Sequence, residues 1–224
     1  MFAALLLLLL RTGVQAEDLA KERPSGGALL ATYSASGMLP RKNWKSLRDD
    51  RVVKQDLDYS CGAASLATLL NSYYGQNVTE EAVLKAMDKG NSRASFDDMA
   101  RALTDFGFRA QGFAASWEQL ARLKVPVVLY VKHRQNDHFT VLRGISGDVV
   151  WLADPSQGNR TYSRDQFLAM WETRFGANDG LTGKFLAVLP IGASAQKLDN
   201  FFTQKPVRQS APAVSTLANR FWSP

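Results

Sequence analysis

Residues 55–74 read QDLDYSCGAASLATLLNSYY and carry the pattern that decides the fold. From Cys61 to Tyr74 small or apolar residues occupy nearly every side of a helical projection, which predicts a helix buried all round. Gly75 supplies the glycine with which such helices commonly end. The single cysteine of the chain therefore stands at the first position of a buried helix.

The position of Cys61 favours a reactive thiol. Free backbone N–H groups and the positive end of the helix dipole stabilise a thiolate at a helix start. In such settings a thiol pKa of about 8.5 can fall to roughly 3.5–7.5. Gly62 removes a side chain beside the sulfur, which we interpret as room for a substrate backbone. The alternative is a buried cysteine that acts as a small apolar residue; with one cysteine, no intramolecular disulfide can form.

The chain offers two histidines as a base for this thiol. His138 opens a β-rich run, residues 138–145, and is the predicted general base. His133 lies in the polar sequence 132–136, which predicts an exposed loop. A half-buried strand histidine without a catalytic role remains the alternative interpretation of His138.

Asp154 is the candidate to orient the base from its other ring nitrogen. If residues 145–147 form a three-residue hairpin loop, His138 and Asp154 face each other directly across the hairpin. A two-residue loop would instead place them on opposite faces. Asp154 also begins the sequence DPSQG, so it can equally be a turn residue. Gln55, six residues before Cys61, can supply a side-chain amide to an oxyanion hole.

The remaining pattern predicts an α+β domain with N-terminal helices followed by an antiparallel sheet. Thr79, Ser95 and Ser116 are predicted to cap three further helices in the first half, and Ser163 one in the second. Apolar and β-branched runs predict strands over 127–131, 138–145, 149–153 and 184–189. We expect residues 1–16 to be a signal peptide, 17–50 a polar arm, 51–190 the domain and 191–224 a tail.

The signal is predicted from the apolar run 2–10, which is far shorter than the about 20 residues that span a bilayer. Val14, Gln15 and Ala16 fit a small-x-small cleavage pattern. No basic residue precedes the run, which leaves two alternatives open: a true start upstream of Met1, or an uncleaved anchor. No later segment approaches membrane-spanning length, so we expect no integral membrane domain in the mature chain.

Composition excludes several classes of function. Hydrophobic residues make up 46% and charged residues 21%, which is typical of a globular protein. The net charge of +6 is spread along the chain without a Lys/Arg run, so we expect no nucleic acid partner. One cysteine and two histidines offer no plausible zinc cage, so we expect no metal and no cofactor.

Three motifs together resemble those of the peptidase C39 family: QDLDYSCGAASLA at 55–67, HFTVL at 138–142 and DPSQG at 154–158. The resemblance implies a papain-like cysteine peptidase fold and hydrolysis of a peptide or protein substrate. It also implies catalytic roles for Cys61, His138 and Asp154, with Gln55 as oxyanion-hole donor.

The layout is similar to stand-alone, exported C39-like proteins of bacterial functional-amyloid (Fap) secretion systems. That similarity implies a periplasmic protein whose partners are secreted amyloid subunits or their export machinery. Two alternatives stay open: a C39-like binding module or chaperone that does not hydrolyse its client, and a thiol hydrolase that acts on cell-wall peptides.

Overall fold

The computed structural model describes residues 27–31, 36–40, 43–90, 92–133, 136–174, 176, 179–192, 198 and 200–203. The predicted signal peptide lies outside the described residues. The chain divides into two compact units, residues 1–47 and 48–224, each of which is described by itself. In the first unit, strand β1 (Gly27–Ala31) pairs antiparallel with β2 (Ser36–Pro40), a hairpin that the sequence did not predict. Helix α1 (Trp44–Arg48) follows.

The helices of the second unit begin where the sequence places their caps. They are α2 (Cys61–Tyr74), α3 (Glu80–Met87), α4 (Phe96–Leu103), α5 (Trp117–Ala121) and α6 (Arg164–Trp171). The Thr79 side chain accepts a hydrogen bond from the third residue of α3, and Ser95, Ser116 and Ser163 each form a capping box. Gly75 ends α2 with a φ of 66°.

The sheet has six antiparallel strands in the order β3-β8-β4-β5-β6-β7. They are β3 (Phe108–Ala115), β4 (Val128–His133), β5 (Asn136–Ser146), β6 (Val149–Asp154), β7 (Gly158–Ser163) and β8 (Gly183–Pro190). The α+β prediction is confirmed, although β3 lies between α4 and α5. The sequence did not predict β3 or β7, because these outer strands expose many residues and carry little apolar periodicity.

Helices cover both faces of the sheet and create two cores. Helices α2, α3 and α4 enclose one core with Val128, Val141 and Ala153. Helices α5 and α6 enclose the other with Leu129 and Leu142. Successive residues of a strand point into different cores, which explains why the central strands read as continuous apolar runs.

The hairpin between β5 and β6 differs from the prediction. Ser146 pairs with Val149, so the loop has two residues and not three; its first, Gly147, has a φ of 55°. A bulge at Arg143 then shifts the pairing, so that Val141 faces Ala153. The predicted direct opposition of His138 and Asp154 is therefore wrong. The bulge compensates for the shorter loop and keeps both residues on one face of the sheet.

Candidate active site

Helix α2 presents Cys61 as its first residue, and the thiol is nearly buried. Ser60 occupies the N-cap position but makes no side-chain bond to the helix; its Oγ donates to the Leu57 carbonyl at 2.7 Å. The first N–H groups of α2 are thus left to other acceptors. One of them, the Gly62 N–H, donates to the Cys61 sulfur, as does the Phe139 N–H from β5.

These contacts determine the acidity of the thiol. Burial by itself raises the pKa of Cys61, because it disfavours the charged form. The hydrogen bond to His138, the charge of that imidazole and the two backbone N–H groups outweigh burial, and the pKa is lowered. The site therefore favours a thiolate.

His138 links the thiol to Asp154. Its Nε2 lies 2.9 Å from Asp154 Oδ2, which leaves Nδ1 for the hydrogen bond to Cys61. Burial by itself lowers the pKa of His138, but the hydrogen bonds and negative charges of Asp154 and Cys61 raise it to about 9. Near neutral pH the arrangement favours an imidazolium paired with a thiolate.

The two carboxylate oxygens of Asp154 have different hydrogen-bond partners. Oδ2 accepts from His138, while Oδ1 accepts from Ser156 N at 2.9 Å, Ser156 Oγ at 2.7 Å and Gln157 N at 2.8 Å. Burial raises the pKa of Asp154, but the His138 contact and these donors lower it more. Asp154 therefore begins a turn and also contacts the histidine, and its role in orienting His138 stays a prediction.

Gln55 connects the segment before Cys61 to this turn. Its backbone N–H donates to the Pro155 carbonyl at 3.1 Å, and its Nε2 donates to the Leu57 carbonyl at 3.0 Å. Its Oε1 is buried without a hydrogen-bond partner. The oxyanion-hole role of Gln55 stays a prediction.

The structure corrects the interpretation of Gly62. A Cβ at this position would overlap with the end of the Met99 side chain and lie 3.4 Å from the Phe139 ring. The space beside Gly62 is therefore occupied by the core and is not a path for substrate. A side chain here would have to displace the end of Met99, so glycine favours close packing beneath the nucleophile.

The prediction of an exposed loop at His133 is wrong. His133 is the half-buried last residue of β4 and pairs with Asn136. It lines a cavity of about 680 Å³ together with Lys132, Arg160 and Tyr162. The histidine hydrogen-bonded to Cys61 is His138.

The described residues contain neither a cluster of metal-binding side chains nor a membrane-spanning helix. No group of three or more His, Cys, Asp or Glu side chains among them is placed to hold a metal ion. Within the same part of the chain, no helix has the length and apolar character needed to cross a membrane.

A buried helix that presents a cysteine to a histidine on an antiparallel sheet defines the class of papain-like cysteine peptidases. Residues 49–175 match the peptidase C39 family, and the chain belongs to that family. The chain is accordingly a cysteine peptidase.

Named relatives and solved structures agree with this assignment. The chain is 38% identical over 180 residues to a protein named probable functional amyloid protease FapD from Pseudomonas fluorescens, covering 75% of each chain. It is 33% identical over 219 residues to the Pseudomonas aeruginosa protein of the same name, covering 92% of this chain and 91% of the relative.

Among solved structures, a double glycine motif protease from an AMS/PCAT transporter, in complex with the leader peptide, is 26% identical with a TM-score of 0.52. The match covers 62% of this chain and 90% of that one. The peptidase domain of Streptococcus ComA shares the fold at 21% identity, with a TM-score of 0.53, and covers 62% and 97% of the two chains.

Proposed function

We propose that this chain is an endopeptidase in which Cys61 is the nucleophile, His138 the general acid and base, and Asp154 the residue that orients His138. The hydrogen-bonded series from Asp154 through His138 to Cys61 supports this proposal most directly. The lowered thiol pKa and the raised imidazole pKa supply the charge states that the reaction needs.

In the first step the Cys61 thiolate attacks the carbonyl carbon of the scissile peptide bond. The His138 imidazolium then gives its proton to the leaving amine, and an acyl-enzyme with a thioester bond remains. In the second step neutral His138 takes a proton from water, which attacks the thioester and releases the carboxyl product. Cys61 regains the thiolate, His138 regains the imidazolium, and Asp154 stays ionised throughout.

The oxyanion formed in each step requires hydrogen-bond donors close to the sulfur. We assign this role to Gln55 Nε2, together with backbone N–H at the start of α2. The backbone N–H of Gln55 donates to the Pro155 carbonyl and its Nε2 donates to the Leu57 carbonyl, which supports a fixed position for the amide. Gln55→Ala should lower kcat about 10²-fold or more, the cost of removing one such donor.

We further propose that the substrate is a segment of an exported, amyloid-type protein and that the enzyme acts on it in the periplasm during secretion or maturation. Similarity to the two FapD proteins over most of the chain supports the substrate class. The apolar run and cleavage pattern at residues 1–16 support export.

The decisive experiment incubates the purified protein with the proteins encoded beside it and identifies the products by mass spectrometry. Wild type should cut at least one of them, and Cys61→Ala should not. Because the chain has two histidines, His138→Ala has a matched control in His133→Ala, which should retain cleavage.

Other outcomes separate the alternatives. A client that binds wild type and Cys61→Ala equally, and is cut by neither, would identify a binding module or chaperone. Thiol-dependent hydrolysis of cell-wall peptides, with no cleavage of the exported proteins, would identify a cell-wall hydrolase.

A further inference from the structure

Four residues far beyond the last strand return to the core; we term them the C-terminal strap, residues 200–203. Phe201 is fully buried, although it lies within the polar stretch that the sequence suggests is a tail. The strap passes so close to β5 that a Cβ at Gly144 would overlap with the Thr203 carbonyl oxygen. It lies outside residues 49–175, the part that matches the family.

The strap binds the bulge of β5. A bulge withdraws backbone groups from the strand ladder, and a buried carbonyl then needs another donor. Thr203 N–H donates to the Arg143 carbonyl at 2.8 Å, and Arg143 Nε donates to the Phe201 carbonyl at 3.4 Å. The guanidinium groups of Arg51 and Arg143 lie 5.1 and 4.7 Å from the centre of the Phe201 ring.

Arg143 also reaches the strand beyond Asp154. Its side chain is buried, lies 4.3 Å over the Trp151 ring and donates to Asn159 Oδ1. Asn159 pairs with Ala153, and its Nδ2 donates to the Asp50 carbonyl at 2.8 Å. Burying a guanidinium costs free energy even when it is hydrogen-bonded, so these contacts point to a role beyond stability.

The role follows from the register of β5 and β6. Residues that pair across antiparallel strands share a face, and neighbouring residues alternate. Continued without a bulge, the pairing set by the two-residue loop would place Asp154 opposite Val141, and hence on the face away from His138. The bulge instead brings Asp154 opposite Thr140, on the same face as His138. The contact between His138 and Asp154 therefore depends on the bulge.

We propose that Arg143 is a positioning residue for the His138–Asp154 pair and that Phe201 of the C-terminal strap anchors it. Arg143 acts through the bulge and through Asn159, beside the strand that ends at Asp154. The proposal rests on the catalytic roles given above to His138 and Asp154.

The test measures the rate at which iodoacetamide alkylates Cys61 as a function of pH, together with the melting temperature, in the full-length protein. Arg143→Met keeps most of the side-chain volume and removes the hydrogen-bond donors. It should lower alkylation at pH 6 and kcat by about tenfold or more, since small displacements of catalytic groups cost this much. KM should stay unchanged. The pH at which alkylation of Cys61 is half-maximal should move towards that of an ordinary cysteine.

Phe201→Leu should shift the profile in the same direction, because it removes the ring beneath both guanidinium groups and retains apolar volume. Its matched control is Phe202→Leu, the next strap residue, which packs against the other core. Phe202→Leu should lower the melting temperature without moving the pH profile.

A folded Arg143→Met protein with the wild-type pH profile and kcat would overturn the proposal, even if its melting temperature fell. If Arg143→Met does not fold, a wild-type profile in Phe201→Leu would overturn it equally. Failure of the proposed function looks different, because wild type itself would then show an ordinary thiol whose alkylation is indifferent to His138→Ala.

Discussion

Replacing Asp154 by asparagine is the sharpest perturbation of the site, because the surrounding turn fixes how the new amide must lie. Ser156 and Gln157 direct three donors at Oδ1, so the amide oxygen of Asp154→Asn must occupy that position. The amide NH₂ then faces His138 Nε2 and can only donate. The variant removes the negative charge, and its amide NH₂ also disfavours protonation of His138 Nε2, because two donors would then face each other.

The size of the effect follows from His138. Its pKa of about 9, against an ordinary 6.5, corresponds to about 3 kcal/mol of stabilisation of the imidazolium, at about 1.4 kcal/mol per pKa unit. Asp154 shares this stabilisation with the Cys61 thiolate. We therefore expect Asp154→Asn to lose about 1.5–3 kcal/mol, which is about a 10- to 150-fold fall in the equilibrium constant that forms the ion pair.

The assay is iodoacetamide alkylation between pH 4 and pH 10, followed by mass spectrometry. The single cysteine makes the intact mass an unambiguous readout. The wild-type ion pair should persist from the lowered pKa of Cys61 up to about pH 9, where His138 loses its proton. In Asp154→Asn the pKa of His138, which sets the upper pH limit of the ion pair, should fall towards 6.5. The pKa of Cys61, which sets the lower limit, should rise, so the pH range in which the ion pair exists should disappear.

Asp137→Asn is the matched control, since Asp137 is adjacent to His138 in sequence but its Oδ1 accepts a hydrogen bond from the Tyr130 hydroxyl. It should leave the profile unchanged. If the profile of Asp154→Asn superimposes on that of wild type, the reasoning that links Asp154 to the thiolate through His138 is refuted.

Three further predictions concern stability and metals. Gly183→Ala should destabilise the fold by about 1–3 kcal/mol, measured by urea unfolding, because a Cβ there overlaps with the buried Trp171 ring; an unchanged midpoint would contradict the packing. The Ser95 N–H of the α4 capping box is the main cause that lowers the pKa of Asp98 to about 2, so the folded protein stabilises the ionised carboxylate of Asp98. Wild type should therefore lose stability as the pH falls from 4 to 2, and Asp98→Asn should lack this component in acid unfolding curves. EDTA should leave peptidase activity intact; loss that zinc restores would contradict the thiol mechanism.

The helices, and the cysteine, histidine and aspartate that the structure brings together, were predictable from the sequence because their signals are local. A capping serine or threonine can be recognised from the three residues that follow it, as at Thr79 and Ser95. The burial of the helix that begins at Cys61 can be predicted from its composition alone. His138 and Asp154 stood out because the chain contains few residues that could serve the thiol.

The register between His138 and Asp154 was not predictable. The Gly147-Asp148 pair favours the two-residue loop that forms, but no local pattern marks the bulge at Arg143, on which the register also depends. The burial of Phe201 was not predicted for a similar reason, because its partners Arg51 and Arg143 are remote in sequence and it lies in a mostly polar stretch. The hydrogen bond from the Phe139 backbone N–H to the thiol could not be predicted either, because any residue except proline has such an N–H group.

The strand order of the sheet has a consequence for the newly made chain. Strands β4 to β7 form by three successive hairpins, which pair residues close in sequence and assemble rapidly. We expect strand β8 to join β4 and β3 last, because Phe108 pairs with Pro190, which lies about 80 residues later in the sequence. Burial of the nucleophile's helix also requires contacts from nearly the whole polypeptide, because its core includes Leu186, Val188 and Phe201. We therefore expect an incomplete or unfolded chain to carry an ordinary thiol, because the contacts that lower the pKa of Cys61 come from His138 and from the backbone of Phe139 in the folded sheet.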